Sequence, residues 1–237
     1  MTIHLRIKLI FAALLALAVI SPARVEWFAY GQGLERTYPI SSLSPLTPAM
    51  TADLDGNGLP DSVVLANQTA RLEENGRMLW QSPPDWQVRQ AAFTDLNRDG
   101  MAELALLVWR PFEPWLVDRM LPRGGRIDTF HDAAGQSSQV ILIGWKLDAY
   151  REVWAGSPLV DPLQIFYAVD LDGDGFQELA ALEGRYNDQP GTPAWSLSLW
   201  DWNGFGFSLA ERLEGSFTVV RPLQSPAGKN YLLVQQF

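Results

Sequence analysis

One short pattern constrains this chain more than any other. Residues 170–178 read Asp-Leu-Asp-Gly-Asp-Gly-Phe-Gln-Glu, and an apolar run follows at once. Asp170, Asp172, Asp174 and Glu178 stand at positions 1, 3, 5 and 9 of a tight loop, with Gly175 at position 6 to permit the sharp turn. Carboxylates crowded in this way repel one another unless a cation lies among them. Calcium suits the set, because it takes six to eight hard oxygen ligands in flexible geometry.

The pattern occurs in three copies. Residues 53–61 place Asp53, Asp55, Asn57 and Asp61 at the same positions, and residues 95–103 place Asp95, Asn97, Asp99 and Glu103 there. An asparagine side-chain oxygen ligates with less charge. Position 7 would supply a backbone carbonyl from Leu59, Met101 and Phe176. Asp, Asn and Gly also build hairpin turns without metal, but a plain turn does not require acid at both positions 1 and 9 in every copy. An EF-hand is disfavoured, since its position 12 needs Glu and the chain has Val64, Leu106 and Ala181 there.

Each loop sits between β-prone runs, and the runs form a repeating unit: strand A, acidic loop, strand B, strand C, strand D. In the first unit A ends at 51, B is 62–66, C is 70–74 and D is 77–81, with Asn75-Gly76 as a hairpin signal. In the second, A is 86–94, B is 103–109, C is 140–146 and D is 150–155. In the third, A is 163–169, B is 178–184, C is 196–202 and D is 207–213. Trp145 and Tyr150 occupy the places in their hairpin that Trp202 and Phe207 occupy in theirs. This recurrence assigns Trp80, Trp145, Trp154, Trp200 and Trp202 to packing.

The two ends complement each other. Residues 217–223 and 231–237 read as an A and a B strand joined by a loop without carboxylates, while 25–30 and 34–40 read as a C–D hairpin. Joined, they make a fourth unit, which covers strand edges that would otherwise lie open. The interval between the loops at Asp95 and Asp170 exceeds one repeat of about 40–50 residues. It is read as one unit plus a loop insertion at about 110–139, locally basic and rich in Pro and Gly, with a helical turn near 115–120.

The loop between two strands, D-x-[DN]-x-[DN]-G-x-x-[DE], resembles the FG-GAP/VCBS repeats of integrin-α-type β-propellers. That resemblance implies calcium bound between the first two strands of a blade, and a role in binding or adhesion. Two features depart from the family: the Phe-Gly…Gly-Ala-Pro signature is missing, and three intact loops stand where the integrin-type propeller has seven blades. The expected fold is all-β, a small propeller of four blades closed by pairing of N- and C-terminal strands. A five-bladed ring or an open β-solenoid is the alternative.

Bulk properties narrow the function. The chain has 237 residues, a net charge of −9 and no cysteine. Acidity disfavours nucleic-acid binding, and without cysteine no disulfide, zinc-thiolate or thiol chemistry is available. Residues 1–23 carry His4, Arg6 and Lys8, then an apolar run over 9–20 and small residues at 21–23. They read as a secretory signal peptide or, uncleaved, a membrane anchor, the apolar run being shorter than the about 20 residues of a spanning helix. Residues 24–237 are read as one domain. The expected location is secreted or extracytoplasmic, and the expected partner is a protein or glycan.

Beyond residue 23 the sole histidine is His131, and no G-x-S-x-G elbow accompanies it. The competing class is an exported carbohydrate-active enzyme, a polysaccharide hydrolase or lyase, using acids outside the loops such as Glu113, Asp118, Asp128 or Asp132. A protein-binding platform anchored on Trp115 is a third.

Overall fold

The computed structural model describes residues 24–30, 33–38, 42–113 and 129–237. The expected signal segment, the helical turn near 115–120, and Trp115, Asp118 and Asp128 lie outside these residues. The described chain is all-β. Its strands are β1 (Arg24–Tyr30), β2 (Leu34–Thr37), β3 (Ser44–Pro45), β4 (Thr51–Ala52), β5 (Asp61–Ala66), β6 (Thr69–Glu74), β7 (Arg77–Gln81) and β8 (Gln87–Thr94). They continue with β9 (Glu103–Pro111), β10 (Gln136–Trp145), β11 (Tyr150–Ala155), β12 (Leu163–Val169), β13 (Glu178–Glu183), β14 (Ala194–Trp202), β15 (Phe207–Gln224) and β16 (Asn230–Gln236).

All pairings are antiparallel. One sheet runs β4-β5-β6-β7 and a second runs β8-β9-β10-β11. The third runs β12-β13-β14-β15-β16-β1-β2, with β3 against the far half of β15. Turn chemistry sets these meanders. Asn75 and Gly76 both take positive φ, 49° and 77°, as a two-residue hairpin between right-twisted strands requires. Trp145 pairs directly with Tyr150, and Trp202 with Phe207. Trp154 closes a cluster of edge-on aromatic contacts with Trp202 at 5.5 Å and Phe207 at 5.2 Å.

The chain ends meet as strands. β1 pairs with β16 from Arg24↔Gln236 to Phe28↔Leu232, and β2 follows on its outer side. Two boundaries differ from the sequence reading. The runs 207–213 and 217–223 are halves of one strand, β15, which pairs with β14 through its first half and β16 through its second. Gly215 stands at the crossover, where a Cβ would lie 2.7 Å from Phe217 Cζ and 2.7 Å from Gln236 Nε2. The insertion is also shorter than 110–139, because Arg110 and Pro111 continue β9 and β10 begins at Gln136. Ser137, Ser138 and Gln139 are polar and so resemble loop, yet they pair with Arg110, Trp109 and Val108 and are buried.

Hydrophobic cores separate successive four-strand sets. Leu72, Val88, Leu104, Leu106 and Ile143 pack the first sheet on the second. Leu107, Leu142, Phe166, Leu179 and Ala181 pack the second on β12 and β13. Leu182, Leu197, Phe217, Val220, Leu232 and Phe28 join the two halves of the large sheet. β9 and β13 therefore lie between cores on both faces, and β13 and β9 up to Trp109 are buried throughout. Val64 of β5 is 41% exposed and Val25 of β1 52% exposed, and among the described residues no core cluster joins their two sheets.

Candidate metal centre

The three acidic loops join β4 to β5, β8 to β9 and β12 to β13. Each is built by one hydrogen-bond scheme. The position-1 carboxylate accepts backbone N–H groups across the turn: Asp53 from Asn57 (3.1 Å) and Gly58 (2.8 Å), Asp95 from Asp99 (3.1 Å) and Gly100 (3.1 Å). Asp170 accepts from Gly173 (2.7 Å) and Gly175 (3.1 Å). The position-3 side chain accepts the position-5 N–H in all three, through Asp55, Asn97 and Asp172. The position-5 side chain accepts the position-7 N–H of Leu59, Met101 or Phe176. The glycines at position 6, Gly58, Gly100 and Gly175, have φ of 84°, 84° and 92°, which a side chain rarely adopts.

The position-9 acids lie apart from the exposed turn. Asp61, Glu103 and Glu178 open their strands and are buried to 0%, 3% and 1% exposure. Asp61 Oδ2 accepts the N–H of Leu54 at 3.1 Å and Glu178 Oε2 that of Leu171 at 2.8 Å, tying position 9 to position 2. Position 2 is leucine in every copy, and Leu54, Leu96 and Leu171 are all buried plugs. Leucine at the same place in three copies is the sequence signal for these plugs.

Burial dominates the electrostatics of these acids. It pushes Glu103 up to about 8, helped by the charge of Asp99, and Glu178 up to about 7 against the N–H of Leu171. Asp61 is raised by the same cause. Glu103 Oε2 is buried with no hydrogen-bond partner.

The loops differ in how their charge is met. Asn57 Nδ2 donates to Asp55 (3.1 Å) and Glu74 (2.6 Å), and Asn97 Nδ2 donates to Asp99 (3.0 Å) and Glu103 (2.9 Å). The third loop has aspartate at both positions 3 and 5 and no such amide. Among the described residues, Asp170, Asp172 and Asp174 are the group whose oxygens all come within 4.8 Å of one another. Hard oxygens at this spacing fit a cation such as calcium, and the set lacks the soft donors that would favour a transition metal.

Neighbouring sheets also meet at this end. Arg98 of the second loop reaches Glu178 Oε1 at 3.4 Å and Asp201 at 3.7 Å, and its guanidinium lies over Phe176 at 5.3 Å. Gln177 accepts the N–H of Asp95 at 3.0 Å. Tyr150 donates to Asp61 at 3.2 Å, and Asn230 of the carboxylate-free fourth loop donates to the Asp170 carbonyl at 2.6 Å. Arg98 has φ 60° where the other loops have Gly56 and Gly173. A bulky residue at a left-handed position was the one sequence hint of this contact.

A scan against models of protein families and a search of curated proteins both found no match to this chain.

Proposed function

We propose that this chain is an exported calcium-binding repeat protein of the FG-GAP/VCBS type, a small four-bladed propeller acting as a binding or adhesion module. The observation that carries the reading is the shared hydrogen-bond scheme of three acidic loops at corresponding strand ends. The blades would be β4–β7, β8–β11, β12 to the first half of β15, and the second half of β15 with β16, β1 and β2. Pairing of β1 with β16 supports the fourth.

Asp170, Asp172, Asp174, Glu178 and the Phe176 carbonyl would hold calcium in the third loop. Asp53, Asp55, Asn57, Asp61 and the Leu59 carbonyl would do so in the first, and Asp95, Asn97, Asp99, Glu103 and the Met101 carbonyl in the second. When bound, calcium supplies charge neutralisation and cross-linking of strand A to strand B, not chemistry on a substrate. The chain's own residues pre-set the loop: the position-1 acid clasps the turn, and the leucine at position 2 anchors it to the core.

For a dissociation constant of about 10⁻⁴ M in about 1 mM calcium, each site adds roughly 1.4 kcal/mol. Thermal unfolding in calcium and in EDTA tests this directly. The expected outcome is a higher melting temperature in calcium, and equal melting in both would reduce the loops to turns. The alternative, an exported carbohydrate-active enzyme, would draw on acids outside the loops, of which Glu113 and Asp132 lie among the described residues. Asp132 Oδ1 accepts the N–H groups of Ala134 (2.8 Å) and Gln136 (2.9 Å).

A further inference from the structure

A cavity of about 540 Å³ opens at the strand ends opposite the acidic loops. β9 leaves the second loop at Glu103 and reaches this cavity at Trp109, about 20 Å further along an extended strand. The volume falls within the roughly 300–1,000 Å³ of small-molecule sites. Two guanidiniums line it. Arg89 lies over the Trp109 ring at 3.9 Å, and Arg185 lies over Trp195 at 5.2 Å. Stacking holds each guanidinium plane while leaving its edge of N–H donors for a planar acceptor. Among the described residues neither arginine has an ion pair.

Acceptors share the cavity with these donors. Asp132 uses Oδ1 for two backbone N–H groups, and its Oδ2 has no hydrogen bond among the described residues. Gln164 donates from Nε2 to the Thr192 carbonyl at 3.1 Å, leaving Oε1 in the same position. Tyr186 donates to the Leu159 carbonyl at 2.7 Å and packs edge-on against Trp109, whose Nε1 is buried without a partner.

We infer that this cavity binds a sugar acid, its carboxylate held by Arg89 and Arg185 and its hydroxyls donating to Asp132 and Gln164. A bare dicarboxylate fits less well, because Asp132 and Asp188 would repel its second charge. A neutral sugar would offer the two guanidiniums no planar bidentate acceptor. The inference rests on the binding-module reading and names its ligand. It does not depend on calcium occupying the loops.

The test is titration of the full chain with D-glucuronate, D-glucose and inorganic phosphate, followed by calorimetry and by amide chemical shifts. Each is run in calcium and in EDTA, with a melt of every sample. The expected result is saturable glucuronate binding, with glucose weaker by about tenfold or more. Arg89→Ala and Arg185→Ala should each weaken it about tenfold with unchanged melting. Arg89→Lys should also weaken it, since lysine keeps the charge and loses the fork. Absence of saturation up to about 50 mM would overturn the inference. So would equal affinity for glucose, or arginine variants that bind like the original. Phosphate binding as tightly as glucuronate would overturn the sugar part, leaving a general anion site. A calcium-insensitive melt with intact glucuronate binding would remove the calcium reading alone.

Discussion

At the scale of single residues, the third loop brings Asp170, Asp172 and Asp174 together with no amide among them. Asn57 and Asn97 each place an amide N–H among the acids of their loops, and the third loop has no such donor. Asp170→Ala or Asp172→Ala should therefore remove most of the calcium-dependent stabilisation of that loop. The loss expected is roughly 1.4 kcal/mol, or about 3–6 °C in a calcium-minus-EDTA melting comparison. A second prediction concerns Asp161, away from the loops. Burial raises its pKa, the charge of Glu183 adds to this, and Arg212 and Arg185 oppose it. An acid whose folded pKa is raised contributes stability below its unfolded pKa, about 3.9, and loses it as pH rises through the folded value. Asp161→Asn should thus raise the melting temperature at pH 7. The gain should vanish below about pH 4, as a pH series of melts would reveal.

At the scale of elements, hairpins and the crossover strand carry the design. Asn75 sits at φ 49° in the turn between β6 and β7. Alanine there should cost about 1–2 kcal/mol and glycine much less, measured by denaturant unfolding. The crossover of β15 depends on Gly215, where a methyl group would collide with the buried Phe217 ring. Gly215→Ala should lose about 1–3 kcal/mol by overpacking, and a loss below 0.5 kcal/mol would mean that Phe217 has room to move. The hairpins were readable because a two-residue turn is local, and its demand for positive φ selects Asn and Gly. The continuity of β15 was not, since Glu214-Gly215-Ser216 reads as a turn and only pairing on both flanks holds it extended.

At the scale of the whole molecule, three seams between successive strand sets have hydrophobic cores. The described faces of the first sheet and of β16 with β1 share none. Two truncations report on this difference. Leu106→Ala, in the seam between the first and second sheets, should cost about 2–5 kcal/mol. Val64→Ala, on the exposed end of β5, should cost under about 0.5 kcal/mol. A large loss at Val64 in chemical denaturation would mean that the first and fourth strand sets close on each other in solution.

The sequence by itself determined the strand runs, the three acidic loops with their side chains in order, and the complementarity of the chain ends. These rest on local rules: turn residues dictate backbone sign, and alternation dictates which face is apolar. The tertiary structure alone decided what crosses between sheets. Arg98 meets Glu178, Tyr150 meets Asp61, and Arg89, Trp109 and Arg185 line one cavity, though they are far apart in the chain. It also decided that β10 reaches back to Gln136 and that Glu103 is buried with an orphaned oxygen. Such contacts depend on how finished sheets stack, and stacking is set by the packing of whole faces, which no short window of sequence contains.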